Sequence, residues 1–156
     1  MGTMYDAELL TILSAVYAVL GVIIVIGFII WILTIIARWR IFEKAGEAGW
    51  KSIIPFYSDY IMYKFCWDVK FFWITLGISI ASMILSTTGI AFLVYFCYIA
   101  LIVITVMMYN KLSISFGQGT AFTVGLVLLN TIFLLILGFG SAQYQGNSSQ
   151  ESIDIS

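Results

Sequence analysis

Residues 9–37 read LLTILSAVYAVLGVIIVIGFIIWILTIIA and carry no charged side chain. The hydrocarbon core of a bilayer is about 30 Å thick and is crossed by roughly 20 apolar residues in helical conformation. We therefore predict a transmembrane helix here. The length of the run, and the lack of a basic residue before it, argue against a cleaved signal peptide. The helix is expected to continue through Arg38 and Arg40 to Phe42 and to end at Gly46, because glycine commonly terminates helices.

The composition of the whole chain is that of a membrane protein. Of its 156 residues, 62% are hydrophobic, 10% are charged and none is histidine, and the mean hydropathy is +1.08. A soluble domain has roughly 25% charged residues, so this chain has too few to cover a water-facing surface. We predict an all-α integral membrane bundle of about four transmembrane helices, formed by one domain over residues 1–144. A disordered polar tail is expected over residues 145–156.

Three further apolar runs follow the first, and the predicted spans lie near residues 71–87, 90–108 and 121–140. The sequence Ser86-Thr87-Thr88-Gly89 separates the second run from the third. Read together, these two runs would form one helix far longer than a bilayer is thick, so a tight hairpin is favoured. The run 71–87 measures about 25 Å by helical rise, so a re-entrant segment is the alternative to a full span there.

The basic residues predict the orientation in the membrane. Six of the seven lie between the first two spans, and Lys111 lies between the third and the fourth. With four spans these two loops share a side, whereas a three-span reading would put Lys111 opposite the other six. Lys and Arg are enriched on the cytoplasmic side. We therefore expect residues 38–70 to be cytoplasmic in a cell membrane and both termini to be extracytoplasmic.

The cytoplasmic segment is unusually rich in aromatic residues. Pro55 is suited to the first position of a helix, which we expect to run to about Trp67. The aromatic side chains, interleaved with a few charges, predict an interfacial segment over residues 46–67, whose amphipathic helix lies in the headgroup layer. All five tryptophans fall near this end of the bundle (Trp31, Trp39, Trp50, Trp67 and Trp73). Indole rings prefer the membrane interface.

Three segments resemble the signature of a family of small, uncharacterised, multi-pass prokaryotic membrane proteins. They are KAGEAGWKSIIPFYSDY at residues 44–60, SFGQG at 115–119 and LGFGSAQY at 137–144. The family pattern is similar to KAGxxGWxxxIPxYNxY, SFGxG and LGFGxAxY. Ser58 departs from it, since the family more often has asparagine there. The family's IPxxN-like break is also replaced by the turn at 86–89. The resemblance implies a membrane protein and names no activity.

No catalytic set stands out, and we predict that the protein is not an enzyme and needs no cofactor or metal. No span contains Asp or Glu, and there is no HExxH motif. Cys66 and Cys97 are read as packing residues, because a zinc site would lack its usual histidines. A Ser/Lys protease remains a remote alternative. Its candidate pairs are Ser52 with Lys51, Ser58 with Lys64, and Ser113 with Lys111.

Binding is the favoured function, with an accessory, docking or immunity-type role at the cytoplasmic aromatic-basic segment. The predicted partner-binding residues are Trp50, Pro55, Phe56, Tyr57, Asp59 and Tyr60. A plain membrane anchor is an equal and compatible interpretation of the same segment. The expected partners are the lipid bilayer and either another membrane protein or a second copy of the chain, and no nucleic acid.

The alternative function is an oligomeric channel or transporter for a small solute or ion. Asn130 and Thr105 would then line the pore, although Asn130 is favoured as an interhelical hydrogen-bonding residue.

Overall fold

A computed structural model describes residues 2–87 and 89–147, with side chains from residue 7 onward. Every regular element among these residues is helical, as predicted. The helices are α1 (Gly2–Lys44), α2 (Pro55–Cys66), α3 (Val69–Thr87), α4 (Ala91–Ser115), α5 (Thr120–Leu128) and α6 (Asn130–Phe139), and a 3₁₀ turn covers Gly49–Ser52. The uncharged first run thus forms α1, and Pro55 is the first residue of α2.

Three helices of the described chain are long and apolar enough to cross a membrane: Ala7–Lys44 within α1, together with α3 and α4. The latter two are antiparallel neighbours, joined by a turn in which Gly89 has a φ of 73°. The second and third apolar runs are therefore separate helices, as predicted. By helical rise α3 measures about 28 Å, which matches the thickness of a bilayer core.

The fourth apolar run forms two short helices instead of one span. The helical conformation breaks at Leu129, with φ −127° and ψ 55°. Beyond it α6 turns back along α5, so that the rings of Phe122 and Phe133 lie 5.0 Å apart. Helices of nine and ten residues rise only about 15 Å. The expected count of about four spans is therefore not confirmed, because the structure has three long helices and a helical hairpin.

The hairpin begins and ends beside the last turn of α4. Before α5, the Ser113 hydroxyl donates to the Gly119 carbonyl at 3.0 Å. After α6, the Gln145 amide donates to the Ser115 carbonyl at 2.8 Å, and the Tyr144 hydroxyl donates to the Phe65 carbonyl at 2.5 Å. The chain thus returns to the end of the bundle from which it entered the hairpin.

We call this end the basic end, because α1 and α4 finish there, α2 lies there, and it carries all seven Lys and Arg residues. Residues 141–147 lie there too, while α1 starts at the opposite end. The hairpin thus returns residues 141–147 to the end that carries residues 38–70. The expected position of the C-terminus itself falls outside the described residues, and the expected orientation of the N-terminus stays a prediction. The argument that three spans would separate Lys111 from the other basic residues is likewise wrong. Of the predicted tail, residues 148–156 lie outside the described part of the chain.

The packed core lies at the basic end. Fully buried side chains from α1, α2, α4 and α6 meet there, among them Phe42, Ile61, Met62, Leu112 and Leu137. By contrast, residues 7–33 of α1 are exposed along their whole length. A lipid-facing helix is apolar on its outside, so this exposure is consistent with a bilayer around α1.

A glycine-dependent turn joins α1 to this core. Gly46 has a φ of 78°, and the amide of Glu47 donates to the carbonyl of Phe42 at 2.8 Å. Together with the bond from the Gly46 amide to the Glu43 carbonyl at 3.1 Å, this is a Schellman motif. The predicted end of the first helix at Gly46 is confirmed.

Candidate functional site at the basic end

Helix α2 presents one buried and one exposed side. Ser58, Ile61, Met62 and Cys66 on its inner side are buried, and burial raises the pKa of the Cys66 thiol to about 12. On the other side Phe56 is 73% exposed. An amphipathic helix from Pro55 to about Trp67 was predicted within the interfacial segment 46–67, and the structure adds that the inner side of this helix is part of the core.

The exposed side carries a ladder of stacked aromatic rings. The rings of Trp50 and Tyr57 are 6.5 Å apart, and those of Tyr57 and Tyr60 are 6.0 Å apart. Tyr60 also makes an edge contact with Phe72 of α3 at 5.5 Å. We call Trp50, Pro55, Phe56, Tyr57 and Tyr60 the aromatic surface. The ring contacts thus bring three of the six predicted partner-binding residues together: Trp50, Tyr57 and Tyr60. Phe56 and Pro55 each line a cavity together with the sixth residue, Asp59.

An ionic cluster fastens the 3₁₀ turn to α2. Glu47 accepts hydrogen bonds from the ammonium groups of Lys51 at 2.5 Å and Lys64 at 3.0 Å. These two bonds hold the pKa of the Glu47 carboxyl below its usual range and raise the pKa of Lys64. The cluster keeps Trp50, which lies within the turn, close to α2.

A second ion pair joins α1 to α2. Arg38 Nη1 donates to Asp59 Oδ1 at 2.7 Å and to the Ser58 hydroxyl at 3.1 Å. The Arg38 side chain is only 19% exposed, and its Nε is buried without a hydrogen-bond partner. The helix was expected to continue through Arg38, and the structure adds that this side chain turns into the protein. No local signal indicates this, because its partner Asp59 lies 21 positions along the chain.

An open cavity of about 280 Å³ lies beside this ion pair and is lined by residues of α1, α2, α3 and α4. Its polar lining includes Arg38, Asp59 and the hydroxyls of Tyr63, Thr75, Ser79, Thr105 and Tyr109. Thr75, Ser79 and Thr105 each donate to a carbonyl of their own helix at 2.8 Å. Their oxygens are then left as hydrogen-bond acceptors. Burial raises the pKa of Tyr63, whose hydroxyl lies 3.2 Å from that of Thr75.

The two residues proposed for a pore lie in different surroundings. Thr105 lines the cavity, whereas Asn130 lies at the tip of the α5–α6 hairpin. There Asn130 Nδ2 donates to the Leu126 carbonyl at 3.2 Å, and its side chain lies near Tyr109 of α4. Asn130 is thus placed beside a long helix. The interhelical role favoured from the sequence stays a prediction.

Two serines of the remote protease alternative form hydrogen bonds with groups other than the lysines proposed for them. Ser52 donates to the Ile35 carbonyl at 3.3 Å, and Ser58 accepts from Arg38. Lys51 and Lys64 both bind Glu47. Within the described residues, no group of three or more acidic, cysteine or histidine side chains could hold a metal ion.

Three long apolar helices, a helical hairpin and an aromatic interfacial helix define a helical integral membrane protein. Residues 50–147 match the model of a family of unknown function, DUF5684, and the chain belongs to this family. The match begins within the 3₁₀ turn, so it covers α2 to α6 and leaves α1 outside. No curated protein and no solved structure matches the chain.

Proposed function

We propose that this chain is a non-enzymatic binding protein of the membrane, which holds another membrane protein at the aromatic surface. The observation that supports this most is the ladder of Trp50, Tyr57 and Tyr60 on the exposed side of a helix whose other side is buried. Stacked aromatic side chains offer a large contact area and have few rotatable bonds. Tryptophan and tyrosine accordingly dominate the energetics of protein interfaces.

The rigidity of the surface supports the same function. The Glu47 cluster fastens the turn that carries Trp50, and the pair between Arg38 and Asp59 fastens α2 to α1. A contact surface that is ordered before binding loses less conformational entropy when the partner arrives. A loose interfacial anchor would not need these two cross-links.

We propose that the aromatic surface faces the cytoplasm. All seven Lys and Arg residues belong to this end of the bundle, and cytoplasmic segments near a membrane are the ones enriched in these residues. The partner is then recognised at the inner headgroup level. An accessory or docking role in a larger membrane complex, or an immunity-type role at a membrane target, fits this location.

A photocrosslinking experiment in native membranes tests the proposal. Phe56 is replaced by p-benzoylphenylalanine, and Phe92 of α4, which is 78% exposed, receives the same replacement as a matched control. We expect a discrete protein product from position 56 that Trp50→Ala abolishes and that position 92 does not give. Identical products from both positions, or a product unaffected by Trp50→Ala, would contradict a specific partner at the aromatic surface.

A further inference from the structure

The ion pair between Arg38 and Asp59 lies between two cavities. One is the open cavity of about 280 Å³ lined by residues of α1 to α4. The other, of about 220 Å³, lies on the opposite side of the pair and is lined also by Trp31, Thr34 and Pro55. Both are lined by Arg38 and Asp59. A ligand in either cavity therefore meets a cation and an anion at once.

The cationic partner has donor capacity to spare. A guanidinium has five N–H groups in a planar fork that suits phosphate and carboxylate oxygens. The hydrogen bonds to Asp59 and Ser58 both come from Nη1 of Arg38. Neither bond uses Nη2 of the same side chain. A ligand with an acidic group would supply an acceptor for it.

The geometry points to a binding site for a small zwitterion of the phosphoethanolamine type, with its acidic group on Arg38 and its ammonium on Asp59. A simple anion would lie close to the Asp59 carboxylate, which is 2.7 Å from the guanidinium, and a simple cation would be repelled by Arg38. Only a ligand that carries both charges complements both members of the pair. Phe56 and Pro55 of the aromatic surface each line one of the cavities. The inference does not rest on the proposed partner, because the stacked rings of Trp50, Tyr57 and Tyr60 line neither cavity.

The volumes of the cavities and the residues at their rims suit a lipid headgroup as the ligand. A volume of about 280 Å³ is at the small end of ligand pockets, enough for a headgroup or an amino acid and too small for a whole phospholipid. Phe56 lines one cavity and Trp31 the other, and both are mostly exposed. An acyl chain could leave past either ring into the bilayer. The same zwitterion could come from a membrane lipid or from a free solute.

Ligand titration of the purified full-length protein in detergent, read by native mass spectrometry, tests the site. The probes are lysophosphatidylethanolamine, lysophosphatidylglycerol and free O-phosphoethanolamine. We expect the ethanolamine lipid to bind roughly tenfold or more tightly than the glycerol lipid, the ratio expected for one added charge-assisted hydrogen bond. If free phosphoethanolamine binds as tightly as the ethanolamine lipid, the natural ligand is a soluble zwitterion. If free phosphoethanolamine does not bind, the natural ligand is the lipid. Equal or tighter binding of the glycerol lipid would overturn the proposal.

Variants separate recognition from folding. Asp59→Asn keeps the shape of the side chain and an acceptor for Arg38, and it should abolish the preference for the ethanolamine lipid without abolishing lipid binding. Arg38→Gln should weaken the binding of the ethanolamine lipid. Lys70→Gln, at a side chain that is 84% exposed, should leave the binding of both lipids unchanged. Thr105→Leu fills part of the cavity and should also weaken binding, which covers the case in which Arg38→Gln does not fold. An unchanged lipid preference in Asp59→Asn would overturn the assignment.

Discussion

The ring of Phe133 in α6 lies against Gly125 in α5, in the space that a Cβ atom on Gly125 would occupy. The return of the chain at Leu129 depends on this contact, because only glycine lets the ring approach so closely. The two short helices pack against α1 and α4. Such a hairpin can keep an irregular tip at membrane depth when the freed backbone groups find partners within the protein. At the tip, the Leu129 amide donates to the Gly125 carbonyl at 2.8 Å.

Gly125→Ala is expected to destabilise the protein by about 1–3 kcal/mol, the usual cost of overpacking a fitted contact. Thermal unfolding in detergent measures the change. Gly77→Ala is the matched control, because a Cβ at Gly77 of α3 has nothing within 4 Å and alanine is the better helix former. Adding Phe133→Leu should restore part of the stability lost in Gly125→Ala. A stability equal to that of Gly77→Ala would contradict a packed hairpin.

Topology can be measured with single cysteines in a background without Cys66 and Cys97. We expect a cysteine at Ser141 to be labelled under the same conditions as a cysteine at Lys70, because residues 141–147 lie at the basic end. An impermeant maleimide should label both only in broken cells and should label a cysteine at Glu8 in intact cells. Labelling of Ser141→Cys in intact cells, with Lys70→Cys protected, would instead support a fourth full span.

The stability of the basic end should depend on the ionisation of Glu47. Its two lysine partners hold the pKa of this carboxyl below its ordinary value of 4.5. A lowered folded-state pKa contributes stability above the unfolded-state pKa, and this is lost as the pH falls through the folded-state value. The melting temperature of the parent should therefore fall more than that of Glu47→Gln as the pH drops below about 4.5. Glu8→Gln lies far from the cluster, so its melting temperature should fall with pH as that of the parent does.

Cys66 should be chemically inert in the folded protein. It is fully buried, and burial raises the pKa of its thiol to about 12, whereas the thiolate is the reactive form. In a Cys97→Ala background, a soluble maleimide at pH 7.5 should leave Cys66 unmodified until denaturant is added. Rapid labelling without denaturant would show that α2 separates from the core under native conditions.

The channel alternative predicts an ion or solute flux that depends on Asn130. We expect purified protein in liposomes to be inert, and we expect Asn130→Leu only to lower the thermal stability, since an interhelical hydrogen bond in a membrane contributes about 0.6 kcal/mol on average. Thr131→Val, which removes the hydroxyl 3.1 Å from that of Thr34, is a control of similar size. A conductance that Asn130→Leu abolishes and Thr131→Val leaves intact would favour the channel.

Local sequence determined the helices and most of their ends. The uncharged run before Arg38, the turn at Gly89, the proline that starts α2 and the glycine after α1 all act through the chain within a few residues, so each could be predicted from its own stretch. The membrane class follows in the same way from composition, since a chain this poor in charge cannot cover a water-facing surface. The exposed aromatic side of α2 was also predictable, because its residues are neighbours in sequence.

Tertiary structure decided the features that join distant parts of the chain. Residues 121–140 carry no charge and are long enough for a span, and the break at Leu129 depends on Phe133 packing against Gly125. The pair between Arg38 and Asp59 joins residues 21 positions apart, and the cavity beside it is lined by residues of four helices. Hydropathy reports how each residue partitions between water and lipid, whereas these features depend on which side chains meet, and only the folded chain determines that.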